Sequence, residues 1–233
     1  MPFQPEKFDR LLDPLGRQRM GTRVEWERSH SCSCRNLTAG SPAPGCTFCW
    51  GVGVCWDPGV ELYLGVTSFN AERQWKEFGQ LVAGSAQITI PVNHRVGNGF
   101  QRCPAYDLIG PFDRFVLVSS TERRDLHLRK DEDDNHLQAR IAQVLDLRIS
   151  NAANPDVSFV EGVDYAIDGY RVRWMGGPIK GTRYVLEVLA HPVMTVFKGI
   201  PMHRNRGDVE LPKKVSVVPA FDQPRRIGAG SGP

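Results

Sequence analysis

Val60, Leu62, Leu64 and Val66 alternate with their neighbours, and this period of two predicts a strand over residues 59–67. Residues 78–81 and 86–92, the latter with Ile88 and Ile90, repeat the habit, with Gly79 and Gly84 as turn residues. Over residues 112–119, Phe115 and Leu117 fall on one face and Val116 and Val118 on the other. Val24 and Trp26 mark a further strand over residues 22–27. In this half of the chain, helical spacing appears over the N-terminal residues 4–20. There Phe8, Leu11, Leu12 and Leu15 form an apolar stripe cut by Pro14, which predicts a helix of two to three turns followed by a basic bend at Arg17 and Arg19. Such a helix docks either on its own domain or, as an arm, on a neighbouring subunit.

The second half continues in short strands. Residues 136–150 fit both periods, and the β-rich company favours a strand over 143–150. Within residues 159–189, Asp168-Gly169 is a hairpin signal. Val172 and Trp174 then alternate with Arg171 and Arg173, Gly176, Gly177 and Pro178 break the run, and Tyr184, Leu186 and Val188 resume it. This reads as a three-stranded meander. Strands are also expected over 193–197 and 211–218. Residues 121–135 are expected as an exposed loop or hairpin tip, basic at Arg123, Arg124, Arg129 and Lys130 and acidic over 131–134. Residues 151–155 and 202–206 read as turns, and the Pro/Gly/Ser-rich stretch from Phe221 as a tail that is disordered or ordered by a partner.

The pattern therefore predicts a mainly β protein of antiparallel barrel or sandwich domains, with a short N-terminal helix and an N-terminal zinc-knuckle loop. The expected divisions are an arm with a short helix over 1–27, a cysteine-rich knuckle over 28–57, a barrel-like domain over 58–142, a sandwich-like domain over 143–220 and a flexible tail over 221–233. A chain of 233 residues, 41% hydrophobic and 24% charged, has enough apolar side chains for such cores. Its net charge of +3 argues for no nucleic-acid partner by itself. No run of 18 apolar residues is present, so no membrane helix is expected. The first ten residues carry Glu6 and Asp9 and lack an apolar stretch, so a secretory signal is not expected and an intracellular place of synthesis is.

Five of the six cysteines lie within residues 32–55. Cys32 and Cys34 form a Cys-x-Cys pair and Cys46 and Cys49 a Cys-x-x-Cys pair, joined by a loop containing Gly40, Pro42, Pro44 and Gly45. Two close thiolate pairs that a turn-rich loop can bring together are the pattern of a tetrahedral zinc site. With all four positions filled by protein, such a zinc is structural rather than catalytic. Gly51 and Gly53 after the second pair let the backbone fold close to the metal without a Cβ clash. Disulfides, a redox-active Cys-x-x-Cys, and replacement of one ligand by His30 or Cys55 are the competing readings. Trp50, Val52, Val54 and Trp56 offer an apolar surface for a partner, or pack on the domain beneath.

Two stretches carry a resemblance: the knuckle from Cys32 to Gly53, and the run Gly-Val-Asp-Tyr, Val-x-Trp, Pro-x-x-Gly-x-x-Tyr from Gly162 to Tyr184. Together they resemble tailed-bacteriophage virion proteins of the neck, of the head-closure or head-to-tail connector type. The chain departs from that pattern in having Ser33 and Thr47 where a proline is usual. The resemblance implies a structural protein that forms a homo-oligomeric ring and takes part in virion assembly. The implied partners are other copies of itself, the portal or adaptor protein, and tail-tube or tail-terminator proteins. The implied location is the virion, after assembly in the host cytoplasm. Arg123, Arg124, Arg129, His203, Arg204 and Arg206 are candidates to line a channel for packaged DNA, or else solvated loop tips.

The alternative is a zinc-ribbon-like module that binds nucleic acid. It is opposed by the single cation, Arg35, in residues 35–48. An enzyme is not expected. His30, His94, His127, His136, His191 and His203 are scattered, Cys103 reads as a small buried residue, and no hydrolase, metalloprotease or phosphate-loop signature occurs.

Overall fold

A computed structural model describes residues 5–13, 21–35, 40–44, 46, 48–49, 51–68, 85–130, 135–137, 139–149, 159–168, 171–196, 204–206 and 209–220. A helix, Pro5–Leu12, opens the chain, and a second, Pro104–Leu108, starts with its proline where no intrahelical donor is needed. The strands are β1 (Thr22–Glu27), β2 (Ser29–Ser31), β3 (Val54–Trp56), β4 (Val60–Ser68), β5 (Ala86–Ile90), β6 (Asn93–Val96), β7 (Gly99–Arg102), β8 (Arg114–Val116) and β9 (Glu122–Arg129). They continue as β10 (Asn135–His136), β11 (Arg140–Ile149), β12 (Tyr165–Asp168), β13 (Arg171–Trp174), β14 (Arg183–His191), β15 (Val193–Val196), β16 (Arg204–Arg206), β17 (Val209–Leu211) and β18 (Lys213–Pro219). Among the described residues no helix is long and apolar enough to cross a membrane.

Contacts divide the chain into two units, the first from Met1–Ser119 with Met194–Ala220, the second containing Ser120–Val193. The first is a closed six-stranded barrel in the order β1-β4-β5-β18-β15-β8. Its interior is made by alternate side chains of each strand: Val24 and Trp26, Leu62 and Leu64, Ile88 and Ile90, Phe115, Met194 and Val196, Val215 and Val217. Closure leaves the barrel no open edge. Cys103, Ala105, Tyr106 and Ile109, from around the second helix, complete this core. The N-terminal helix packs on its own unit. Leu12 is buried, Asp9 accepts from the backbone N and Nδ2 of Asn93 at 3.2 and 3.0 Å, and Asp13 pairs with Arg95 at 2.7 Å.

The second unit has two three-stranded sheets, β10-β13-β12 and β11-β14-β9. Both sheets supply side chains to one core that includes Leu126, Leu147, Tyr165, Val172, Tyr184, Leu186 and Val188. Trp174 meets Phe159 and Tyr184 edge-to-face, at 5.6 and 5.2 Å between ring centroids.

Several expectations are corrected. The division at 142/143 falls inside β11, because the barrel takes strands from both ends of the chain. The strand over 112–119 shrinks to β8. Phe112 has φ 70°, which breaks the extended run, and Val118 N–H closes a tight turn onto Val116 O. Residues 122–129, expected as a loop, form β9, paired with β14 from Glu122 opposite Ala190 to Arg129 opposite Arg183. Leu126 and Leu128 turn to the core, while Arg123, Asp125, His127 and Arg129 fall on the opposite, exposed face. The meander is broken after its second strand: β12 pairs with β13, but β14 joins the other sheet. Residues 204–206, placed in a turn, form β16 against β17. The expectations for 78–81, 131–134, 151–155, 202–203, the bend at Arg17 and Arg19, and the tail from Phe221 lie outside the described residues.

Candidate metal centre

The cysteine segment grows from the barrel as a ribbon. After β1, β2 pairs with β3, His30 opposite Cys55 and Ser31 opposite Val54, and Cys32 N–H extends the ladder to Gly53 O at 3.0 Å. Asp113, 1% exposed, holds the base of this ribbon. Its carboxylate accepts from Trp26 Nε1 at 2.9 Å, Ser29 N at 2.8 Å and Gly110 N at 3.1 Å, and lies 2.8 Å from Ser29 Oγ. Beside it, Trp56 Nε1 donates to Phe112 O at 3.0 Å, and the Arg114 guanidinium stacks 3.3 Å from the centroid of the Trp56 ring.

At the far end the sulfurs of Cys32, Cys34, Cys46 and Cys49 all lie within 4.8 Å of one another. Cys32 Sγ is 3.7 Å from Cys46 Sγ, and Cys34 Sγ is 3.3 Å from Cys49 Sγ. A tetrahedron of sulfurs about 2.3 Å from a central zinc has edges of about 3.8 Å. The two pairs are thus interleaved, each cysteine of the first facing one of the second. All six cysteines are free thiols, and these separations far exceed a disulfide bond of about 2.05 Å. Four cysteines so placed can hold a metal ion.

The local backbone is shaped for anionic sulfur. Cys34 N–H donates to the Cys32 sulfur, Ala43 N–H to Cys34, Cys49 and Phe48 N–H to Cys46, and Gly53 N–H to Cys49 at 3.2 Å. Each of the four sulfurs therefore accepts at least one backbone hydrogen bond. The donor from Cys34 is the main reason the Cys32 thiol is lowered to about 6, and those from Cys49 and Phe48 lower Cys46. Without metal, Cys34 is pushed up to about 12, chiefly because it donates to Cys49. Gly51 and Gly53 have φ of 81° and 80°. A Cβ at Gly53 would meet Pro42 Cβ at 3.0 Å, so this turn, which aims Gly53 N–H at Cys49, needs glycine.

His30 and Cys55, the candidate substitutes, are placed differently from each other. His30 Nε2 lies 2.6 Å from Asp57 Oδ2 on an exposed part of the ribbon. Cys55 is outside the set of four; burial, with the Cys32 side chain beside it adding to the effect, pushes its thiol up to about 11. Val54 is buried and Trp56 half-buried, whereas Phe48 is 81% and Val52 41% exposed. Trp50 lies outside the described residues. Cys103 is fully buried in the barrel core, where burial raises its thiol to about 11. His94, His127, His136 and His191 sit on β6, β9, β10 and β14. His203 lies outside the described residues. The sequence reading missed Asp113, whose partners Trp26 and Ser29 are 87 and 84 residues away. The only local sign of it was an Asp-Arg pair set between Phe112 and Phe115.

No protein-family model matches this sequence, and no curated protein matches it, so the reading of its function rests on the residues and geometry described above.

Proposed function

We propose that the four cysteines hold a structural zinc ion and that the chain is a ring-forming structural protein of a tailed-phage virion, placed in the neck between the portal and the tail. The observation that carries the metal reading is the convergence of the four sulfurs, all within 4.8 Å of one another, with backbone N–H groups directed at them. Four thiolates around a divalent ion keep a net charge of −2, which oriented N–H groups offset and which neutral thiols would not require. Zinc suits an all-thiolate tetrahedral set and leaves no position open for chemistry. The ion staples a segment whose described part places only Cys32, Cys49 and Val54 among the buried apolar residues, too few to hold it together unaided.

The virion reading rests on the resemblance of Cys32 to Gly53 and Gly162 to Tyr184. It is supported by exposed apolar side chains within the second stretch: Val163, Met175 and Ile179, with Val160 just before it. The partners in this reading are neighbouring copies, a portal or adaptor protein, and tail-tube or terminator proteins, with packaged DNA in the channel.

The test is metal content per chain with mass in solution on the same sample, alone and with a portal complex. One zinc per chain and rings formed on the portal are expected. Absence of metal overturns the zinc reading, and failure to join a portal or tail complex overturns the neck reading.

A further inference from the structure

Cys55 is the one thiol beside the centre that the four-cysteine arrangement does not use. Three features of the ribbon place it there. Cys55 stands opposite His30, and Cys32 bonds through its N–H to Gly53, so Cys32 and Cys55 are diagonal neighbours on the same face of the β2–β3 ribbon. The Cys32 side chain raises the Cys55 thiol, so the two interact directly. The Asp113 carboxylate fixes the foot of the ribbon at Ser29, and Asp57 N–H bonds Arg28 O at 2.9 Å, so this face does not depend on the metal for its shape.

We propose that Cys55 is a reserve ligand: an S–H donor to the Cys32 thiolate in the loaded centre, and the fourth thiolate when Cys32 is lost. The inference rests on the metal reading above. On replacement of Cys32, the Cys55 S–H bond breaks, its proton goes to solvent, and the sulfur's electron pair makes the bond to the ion that Cys32 made. Zinc has no d-electron preference that resists such an exchange, and the diagonal position on the ribbon puts Cys55 on the same face as Cys32. Neither Cys34 nor Cys46 has such a substitute. Cys34 packs against Cys49 and Cys46 against Cys32, both already ligands.

The experiment uses the full chain loaded with Co2+ and Zn2+ in the parent and in Cys32→Ser, Cys34→Ser, Cys55→Ser and Cys32→Ser/Cys55→Ser. The readouts are metal per chain, the thiolate-to-cobalt charge-transfer band, and which cysteines the metal protects from alkylation. Cys55→Ser keeps one ion and the parent band. Cys32→Ser keeps one ion and a four-thiolate band, with cobalt affinity within about tenfold of the parent, and its Cys55 is shielded from alkylation by metal. Cys34→Ser and the double variant lose about a hundredfold or more. Equal loss in Cys32→Ser and Cys34→Ser, or no difference between Cys32→Ser and the double variant, overturns the proposal. Cys32→Ala is the second variant at that position. If neither Cys32 variant folds with metal while Cys34→Ser does, the proposal also fails. A parent that binds no metal instead overturns the reading on which it rests.

Discussion

The indole Nε1 of Trp26 donates to Oδ2 of Asp113 at 2.9 Å, joining the barrel interior to the base of the cysteine ribbon. Asp113→Ala leaves the buried indole N–H of Trp26 and the part-buried backbone N–H groups of Ser29 and Gly110 without this acceptor. Each such loss costs about 1–3 kcal/mol. The expected result is a fall of about 3 kcal/mol or more in the urea stability of the barrel unit, together with faster amide exchange in β1 and β2. Unchanged exchange at Ser29 would show that the latch does not hold the ribbon.

Cys46→Ser and Cys49→Ser are expected to loosen residues 28–57 while both β units remain folded. Limited proteolysis reads this directly, with new cleavage confined to that segment and the fragments from 120–193 intact. Equal protease resistance in variant and parent counts against a metal staple. A chelator present during folding should reproduce the variants, and the same chelator added afterwards should act far more slowly.

Burial raises the Tyr165 phenol to about 12, with Glu161, Asp146 and Asp164 adding to the effect. An unfolded tyrosine titrates near 10. Between these values the folded chain holds a proton that the unfolded chain has lost. The contribution to stability is therefore complete below about pH 10 and is lost as pH rises through about 12. Denaturant midpoints of the second unit should fall across that window in the parent, and less steeply in Tyr165→Phe. Parallel curves for the two proteins would refute the assignment.

Gly177 lies under the Trp174 ring, where an added Cβ would come within 1.9 Å of Cε3. Gly177→Ala must push the indole away from Phe159 and Tyr184, at a cost of about 1–3 kcal/mol. A lowered melting temperature with a red shift of tryptophan emission is expected, and an unchanged melting temperature would mean that the loop simply yields.

What was legible in the sequence was local. The alternation at Leu62, Leu64, Ile88 and Ile90 marked barrel strands because closure buries one face of each. The cysteine spacing brought out four sulfurs that the fold does bring together. Misreadings came where distant partners decide the outcome. Arg123, Arg124 and Arg129 looked like a loop, yet they belong to β9, with Arg123 and Arg129 on its wet face, and its pairing with β14 spans 54 to 68 residues of chain from Arg129–Arg183 to Glu122–Ala190. Lys213 begins β18 with its side chain buried. Its ammonium donates to Tyr106 O and lies 4.4 Å from the ring centroid, a site that no periodicity announces. The division between units was hidden for the same reason, since β18 completes a barrel begun at β1.

That closure sets an order of events during synthesis. Four staves of the barrel, β1, β4, β5 and β8, leave the ribosome before the second unit, and the last two, β15 and β18, leave after it. At roughly 5–20 residues per second, the hundred or so residues between Val116 and Pro219 take on the order of ten seconds. During that interval Val24, Leu62, Ile88 and Phe115 have no complete interior to enter, while the contiguous second unit can already fold. The nascent barrel thus waits open on its own later half, and the cysteine ribbon, complete by Trp56, can bring its four sulfurs together well before the barrel shuts.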